Sequence, residues 1–278
     1  MRTNVLEDAR SFLFVPGDRP DRFARAAGSG ADQVILDLED SVALEHKDDA
    51  RRAVSDWLAE GNAGLVRVNS IATSLFDEDC AALVGHVSLT GVMVPKAEDP
   101  AELAEVARFL GHEKAVIALV ETARGIGATR EITRARGVVR LAFGSIDLAA
   151  DLGCEDSHDA LLLARSMLVL ESRIAGLPAP LDGVSAELGD PDVVLEHARR
   201  ARALGFGGKL CIHPQQVAAV HAAFTPSAEE RAWAAAVVAA GADGGAHRVQ
   251  GQMVDRPVVE RALRILMLVE LSSEAGTQ

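Results

Sequence analysis

Two acidic residues stand at matching positions in two successive strand-to-helix segments of the sequence. Glu121 follows the apolar run VIALV, and Asp147 follows LAFGSI after an intervening helical segment. If the two runs are neighbouring strands of a parallel sheet, both acids lie at carboxyl ends of strands, where α/β sheets and α/β barrels place their chemistry. The pair is therefore predicted to form half of a divalent-metal site.

The predicted metal ligands are oxygens only. No histidine or cysteine stands at metal-ligand spacing near Glu121 and Asp147, so a hard cation is expected. Mg²⁺ fits this donor set and Mn²⁺ is an alternative, with waters and substrate oxygens completing an octahedron. For Asp147 taken alone, a role as a helix cap is an equally good interpretation.

Further charged residues collect at other predicted strand ends. Arg67 lies in the third apolar run, Glu39 and Asp40 follow the second, and Lys96 follows the fourth. In a parallel barrel these positions converge on one mouth, where buried charges are costly unless a metal or an ionic ligand balances them. Any single one of them, such as Lys96 or Glu39, could instead be a solvated strand-end charge.

Arg67 is suited to a substrate carboxylate, because its planar guanidinium offers two parallel hydrogen bonds. A metal beside this arginine could hold a 2-oxo acid through its carbonyl and one carboxylate oxygen. The reaction class that follows is the making or breaking of a carbon-carbon bond, in which a metal stabilises an alkoxide or enolate.

Eight short aliphatic runs alternate with longer helical patterns, which is typical of repeated βαβ units and a parallel sheet. The runs are SFLFV (11–15), QVILDL (33–38), GLVRVN (64–69), GVMVP (91–95), AVIALV (115–120), VVRLAFG (138–144), PLDGVSA (180–186) and GGKLCI (207–212). Eight strands close a TIM (β/α)8 barrel, and this α/β fold is predicted for residues 1–226. Residues 227–278 are predicted to be a C-terminal helical arm that follows a glycine-rich hinge and packs on a neighbouring subunit, because some 50 residues are marginal as an independent core.

The composition narrows the classes of partner. The 278 residues include 28 basic and 41 acidic side chains, for a net charge of −13, which argues against a nucleic-acid or anionic-membrane surface. Three isolated cysteines indicate neither a disulfide framework nor a thiolate zinc site, so a cytoplasmic location is expected. A P-loop and a dinucleotide-binding fingerprint are absent from the sequence.

Eight motifs together carry a resemblance to a known family. In chain order they are PGDRPDRF, VILDLEDSV, VRVN, VPKAED, LVETARGI, FGSIDLAADLG, GGKLCIHPQQV and GQMVDRPVVERALRIL. The sequence resembles the citrate lyase β-subunit (CitE-like) branch of the HpcH/HpaI aldolase superfamily over nearly its whole length. The resemblance implies a TIM barrel, Mg²⁺ on Glu121 and Asp147, and Arg67 bound to the oxo-acid carboxylate. It also implies an acyl-thioester substrate, usually of coenzyme A, with Arg19 and Arg22 near its phosphates.

The resemblance implies a role for Asp255 that the residue alone does not. In related CoA-ester lyases the matching aspartate comes from the C-terminal arm of a neighbouring subunit and acts as acid or base at the acetyl methyl group. By its position alone, Asp255 would be the N-cap of the final helix. Glu39 and Asp40 stand where aldolases of free pyruvate carry an acid-histidine pair, which disfavours that activity. These two acids are expected to orient waters on the metal or Lys96.

The predicted function is a Mg²⁺-dependent carbon-carbon lyase that cleaves a 3-hydroxy acyl thioester of the citryl-, citramalyl- or malyl-CoA type. Its products would be an acyl thioester and a 2-oxo acid. A citrate lyase subunit would also need an acyl-carrier protein and a transferase subunit; the alternative is a stand-alone malyl- or citramalyl-CoA lyase or thioesterase. A further alternative is a non-catalytic thioester-binding protein. By resemblance, a homotrimer or hexamer is expected.

Overall fold

Eight parallel strands close into a barrel in the computed structural model, which describes residues 5–111, 114–241, 247–249 and 252–275. The strands are β1 Ser11–Pro16, β2 Gln33–Asp37, β3 Gly64–Arg67, β4 Leu89–Val94, β5 Ala115–Val120, β6 Val138–Phe143, β7 Leu181–Asp182 and β8 Gly208–Cys211. They follow one another in sequence order, and β1 pairs with both β2 and β8. The prediction of a TIM barrel is confirmed, and each of the eight predicted runs overlaps one strand.

Helices connect and follow these strands. They are α1 Val5–Asp8, α2 Phe23–Ala27, α3 Lys47–Ala59, α4 Leu75–Leu83, α5 Pro100–Leu110, α6 Ala123–Gly127, α7 Thr129–Ile132, α8 Ser145–Leu152, α9 Leu162–Ala175, α10 Pro191–Leu204, α11 Gln215–Phe224, α12 Ala228–Ala240 and α13 Arg256–Ala275, with short 3-10 helices at Pro20–Arg22 and Leu44–His46. Asp99 and Asp190 cap α5 and α10 by accepting hydrogen bonds from the backbone, and Ser227 forms a capping box with Glu230 at α12. None of the described helices is long and apolar enough to cross a membrane.

The barrel interior holds an apolar core. Its buried members are Leu6, Ala9, Phe12, Ile35, Leu65, Met93, Ala115, Ile117, Leu119, Ala142, Leu181 and Leu210. Successive side chains of a strand point to opposite faces of the sheet. Because Leu181 and Leu210 point inward, their neighbours Asp182 and Lys209 point outward, away from the barrel axis.

Arg140 on β6 occupies the core as a buried cation. Its guanidinium donates hydrogen bonds to the carbonyl oxygens of Leu6, Ala9 and Ala179 at 2.7 to 2.8 Å and lies over the Phe12 ring. Burial lowers its pKa to about 9, only partly opposed by surrounding acids. Arg140 thus ties the N-terminal segment before β1 and the segment before β7 to the same point on β6.

Residue contacts divide the chain into two compact units, Met1–His221 and Ala222–Gln278. The second unit contains α12, α13 and the antiparallel pair β9 His247–Val249 and β10 Gln252–Val254. Its own small core consists of Ala234, Val237, Val254, Ala262 and Ile265. The predicted boundary after residue 226 and the packing of the arm on a neighbouring subunit stay predictions. Residues 242–246 of the predicted glycine-rich hinge lie outside the described residues.

Replacing Arg140 by methionine is expected to lower the free energy of unfolding by about 3 kcal/mol, because three buried carbonyl oxygens lose their donor. Urea unfolding followed by circular dichroism measures this difference. The control is Arg134→Met, which changes an exposed arginine in the same unit and should alter stability by less than about 0.5 kcal/mol. Equal stability of the two variants would contradict the structural role of Arg140.

Candidate active site

Asp37 and Arg67 form a bidentate ion pair at the carboxyl-terminal end of the barrel. The two residues are register partners on β2 and β3, so their side chains start from the same level of the sheet. Arg67 Nε lies 2.6 Å from Asp37 Oδ1, and Arg67 Nη2 lies 2.7 Å from Asp37 Oδ2. Burial disfavours the charged form of both side chains, but the attraction between the two charges and their hydrogen bonds together outweigh this cost. The pKa of Asp37 is therefore lowered and that of Arg67 is raised. Both groups are therefore charged at neutral pH.

The remaining edge of Arg67 faces two further acids. Its Nη1 lies 3.0 Å from Glu39 Oε2 and 3.7 Å from Asp40 Oδ2. Glu39 is buried and Asp40 is more than half exposed. Since Asp37 takes up Nε and Nη2, a carboxylate ligand would meet Arg67 through Nη1. The guanidinium also stacks over the Phe14 ring at 4.8 Å, which limits its movement.

Lys96 links Glu39, which follows β2, to Glu121, which follows β5. Its Nζ donates to Glu39 Oε1 at 3.1 Å, and its backbone N–H donates to Glu121 Oε1 at 2.9 Å. Among the described residues it is the one non-glycine position with a positive φ, at 48°, a conformation that costs free energy in residues with a side chain. Burial would lower the Lys96 pKa, but the charges of Glu39 and Glu121 outweigh it and raise that pKa.

Glu121 is a buried acid of the mouth with a strongly raised pKa. It follows β5 and is 2% exposed, and burial together with the charges of Glu39 and Asp147 raises its pKa to about 8. Gly144, at the end of β6, leaves room for this side chain, because a β-carbon there would collide with Glu121. Asp147 lies in the first turn of α8, where its charge acts on Glu121.

Arg19, Arg22 and Asp255 are three further predicted site residues. Arg19 is bound to Asp21 by two hydrogen bonds of 2.8 and 2.9 Å, and Arg22 is exposed at the end of the 3-10 helix Pro20–Arg22. Asp255 is exposed in the second unit and accepts a hydrogen bond from the Val258 N–H at the start of α13. That contact is the one expected of an N-cap. Their predicted roles toward a thioester stay predictions.

Comparison with known proteins identifies the family of this chain. The family model of HpcH/HpaI aldolase/citrate lyase matches residues 10–214, which is more than half of the chain. The chain belongs to this family.

Similar proteins include lyases and one complex of known structure. The citrate lyase subunit beta-like protein of Mycobacterium tuberculosis (strain ATCC 25618 / H37Rv) is 42% identical over 271 residues, covering 95% of this chain and 96% of that protein. The mitochondrial citramalyl-CoA lyase of Rattus norvegicus is 32% identical, covering 93% and 85%. The crystal structure of CitE from Mycobacterium tuberculosis with magnesium, acetoacetate and coenzyme A has a TM-score of 0.85 at 40% identity, covering 95% and 98%. The resemblance to the CitE-like branch is confirmed.

The donor set of this HpcH/HpaI family member fits a divalent cation. No group of three or more His, Cys, Asp or Glu side chains in the described part of the chain is arranged to enclose a metal ion. Glu121 and Asp147, whose charges act on each other, could supply two ligands, which suits Mg²⁺ because that ion usually takes one or two carboxylates and keeps several waters. Within the described residues, Glu39 Oε2 is buried and ion-paired with Arg67 Nη1 at 3.0 Å, but it accepts no hydrogen bond of good geometry. The site thus has acceptor capacity and negative charge in excess of its own cations.

Asp37 is the site residue to which sequence reasoning assigned no role. Its signal was present, since a carboxylate inside an apolar strand run needs a cationic partner. The partner, Arg67, lies 30 residues away and is identified only by the register of β2 and β3. The left-handed backbone of Lys96 and the clearance at Gly144 gave no comparable signal in the sequence.

Glu121→Gln is expected to change the pH dependence of stability. Between pH 4.5 and about 8 the folded protein keeps a proton on Glu121 that the unfolded chain has lost. Stability of the metal-free protein therefore falls as pH rises through this window, by at most about 1.4 kcal/mol per pH unit from this group. Glutamine removes that contribution. Urea unfolding in EDTA across this pH range measures the effect.

The matched control is Glu131→Gln, an exposed acid on α7 that should keep the wild-type pH dependence. Added Mg²⁺ should raise the Tm of the wild type and of the control, but not that of Glu121→Gln. Equal stabilisation of all three proteins by Mg²⁺ would show that Glu121 is not a metal ligand.

Proposed function

We propose that the protein is a Mg²⁺-dependent carbon-carbon lyase of CoA thioesters. The substrate is a 3-hydroxy acyl thioester of the citryl-, citramalyl- or malyl-CoA type, and the products are an acyl thioester and a 2-oxo acid. The observation that carries the proposal is that Arg67, Glu39, Lys96 and Glu121 form one connected charge cluster at the barrel mouth. Relatives named as lyases, and a similar structure bound to magnesium, acetoacetate and coenzyme A, support it.

The residues of the mouth divide the binding of the oxo-acid half between them. Glu121 and Asp147 hold Mg²⁺, which when bound stabilises negative charge on a substrate oxygen. Arg67, fixed by Asp37, presents Nη1 to the substrate carboxylate. Glu39 and Lys96 hold each other and, through the Lys96 N–H, the carboxylate of Glu121. Asp40 adds negative charge beside Arg67 at the exposed rim of the mouth.

The acyl-thioester half is bound and protonated by residues outside the cluster. Arg19 and Arg22 meet the phosphates of coenzyme A. As the carbon-carbon bond breaks, the 3-hydroxyl group loses its proton to solvent water and becomes the carbonyl of the oxo acid, while Asp255 donates a proton to the α-carbon of the acyl group. Asp255 belongs to the C-terminal arm, which in this proposal packs on a neighbouring subunit of a homotrimer or hexamer. A citrate lyase subunit, working with an acyl-carrier protein and a transferase subunit, is the second assembly in which the same chemistry would operate.

Activity against a panel of thioesters tests the proposal. Purified protein with Mg²⁺ is incubated with citramalyl-CoA, malyl-CoA and citryl-CoA, and the 2-oxo acid and free thiol are both measured. A lyase releases the oxo acid and no free thiol, and a thioesterase releases free thiol. At least one substrate should give the oxo acid, and EDTA should abolish its release. No product from any substrate would favour a protein that binds thioesters without turnover.

Asp255→Asn should lower kcat by about 10² to 10⁴-fold with little change in KM, because asparagine removes the proton donor but not the binding contacts. Asparagine is also a good N-cap, so α13 should be retained. Glu260→Gln, an exposed acid of the same helix, is the control and should keep wild-type kcat. An Asp255→Asn enzyme with wild-type turnover would eliminate Asp255 as the acid.

A further inference from the structure

A second charged site lies outside the barrel wall. A cavity of about 420 Å³ is lined by Asp182 at the end of β7, Lys209 of β8 and Arg165 of α9. Asp182 and Lys209 point away from the barrel axis, and none of the residues of the mouth lines this cavity, neither the cluster around Arg67 nor Glu121 and Asp147. It is therefore distinct from the mouth to which the lyase reaction is assigned.

The buried end of this cavity carries more positive than negative charge. Asp182 Oδ1 accepts a hydrogen bond from Arg165 Nε at 3.0 Å, and Asp182 Oδ2 accepts one from Lys209 Nζ at 2.9 Å. The three side chains are 10%, 3% and 4% exposed for Arg165, Lys209 and Asp182. Two buried cations thus share one buried carboxylate. The other charged lining residues, Asp156, Glu187 and Arg200, are exposed, where water screens them.

Arg165 also has an unused donor. Its Nη1 is buried and has no hydrogen-bond partner in the described part of the chain. The guanidinium lies over the Phe143 ring, 4.7 Å from the ring centroid, so stacking holds it in place on one side. A buried donor without an acceptor destabilises a protein unless a ligand supplies the acceptor. One anionic ligand at Arg165 would supply both an acceptor for Nη1 and a second negative charge beside the two buried cations.

We propose that this cavity, which we call the Arg165 cavity, binds a small organic carboxylate. One carboxylate carries one negative charge and two oxygen acceptors, which match the single excess cation and the free Nη1. The lining also contains Val184, Ala186 and Ala201, which offer apolar surface to the body of such a ligand. A free anion such as phosphate would leave that surface uncovered.

Binding of isobutyrate to the protein in EDTA, measured by isothermal titration calorimetry, tests the Arg165 cavity. Isobutyramide has nearly the same shape without the charge and should not bind, and inorganic phosphate should bind more weakly than isobutyrate. Arg165→Lys keeps a cation beside Asp182 but loses the guanidinium fork, so it should weaken isobutyrate binding at least about tenfold. Ala186→Phe, which places a ring at an exposed lining position, should weaken binding without touching the ion pairs.

The matched control is Arg173→Lys, which changes an exposed arginine of α9 and should bind isobutyrate as the wild type does. The barrel mouth also contains an arginine, so Arg67→Met is measured beside it to detect binding there. Loss of binding in Arg67→Met, with retention in Arg165→Lys and Ala186→Phe, would assign the carboxylate to the mouth and overturn the proposal. No isobutyrate binding, equal binding of isobutyramide, or tighter binding of phosphate would also overturn it. Since the readout is binding without Mg²⁺, the outcome is independent of whether the enzyme is a lyase.

Discussion

Asp37 and Arg67 face each other across neighbouring strands, and the contacts of the barrel mouth extend from this pair. Arg67 can be buried and charged there because Asp37 matches two of its nitrogens. With that edge occupied, Nη1 is directed to Glu39, Glu39 accepts from Lys96, and the Lys96 backbone holds Glu121. The carboxylate of Glu121, just after β5, is therefore linked through hydrogen bonds and ion pairs to a pair formed between β2 and β3.

The barrel contains a second interior arginine in the opposite electrostatic environment. The hydrogen bonds of the Arg140 guanidinium go to neutral carbonyl oxygens, and burial lowers its pKa to about 9 against the smaller effect of more distant acids. Arg67 is surrounded by carboxylates, which raise its pKa despite comparable burial. The same residue type thus has two different roles in the barrel. Neutral acceptors suit a cation that only joins segments of the chain, whereas carboxylates create an acidic mouth in which a cation or a cationic ligand group is favoured.

The barrel mouth carries more negative than positive charge. Four carboxylates, from Asp37, Glu39, Asp40 and Glu121, interact by contact or by charge with three cations, Arg67, Lys96 and the buried Lys47, and Asp147 adds its charge beside Glu121. Burial is the largest cause of the raised pKa of Glu121, and the charges of Glu39 and Asp147 add to it. A divalent ion beside Glu121 would offset both the burial of its charge and the repulsion from its neighbours.

Local patterns in the sequence determined the barrel and the set of charges at its mouth. The eight apolar runs, the caps at Asp99 and Asp190, and the strand-end positions of Arg67, Lys96 and Glu121 depend on residues close in sequence, so periodicity and capping rules predict them. Tertiary structure alone decided which charges pair. Asp37 with Arg67, the left-handed backbone of Lys96 and the grouping of Arg165, Asp182 and Lys209 depend on strand register and on burial. Those properties arise only when segments distant in sequence pack together and exclude water.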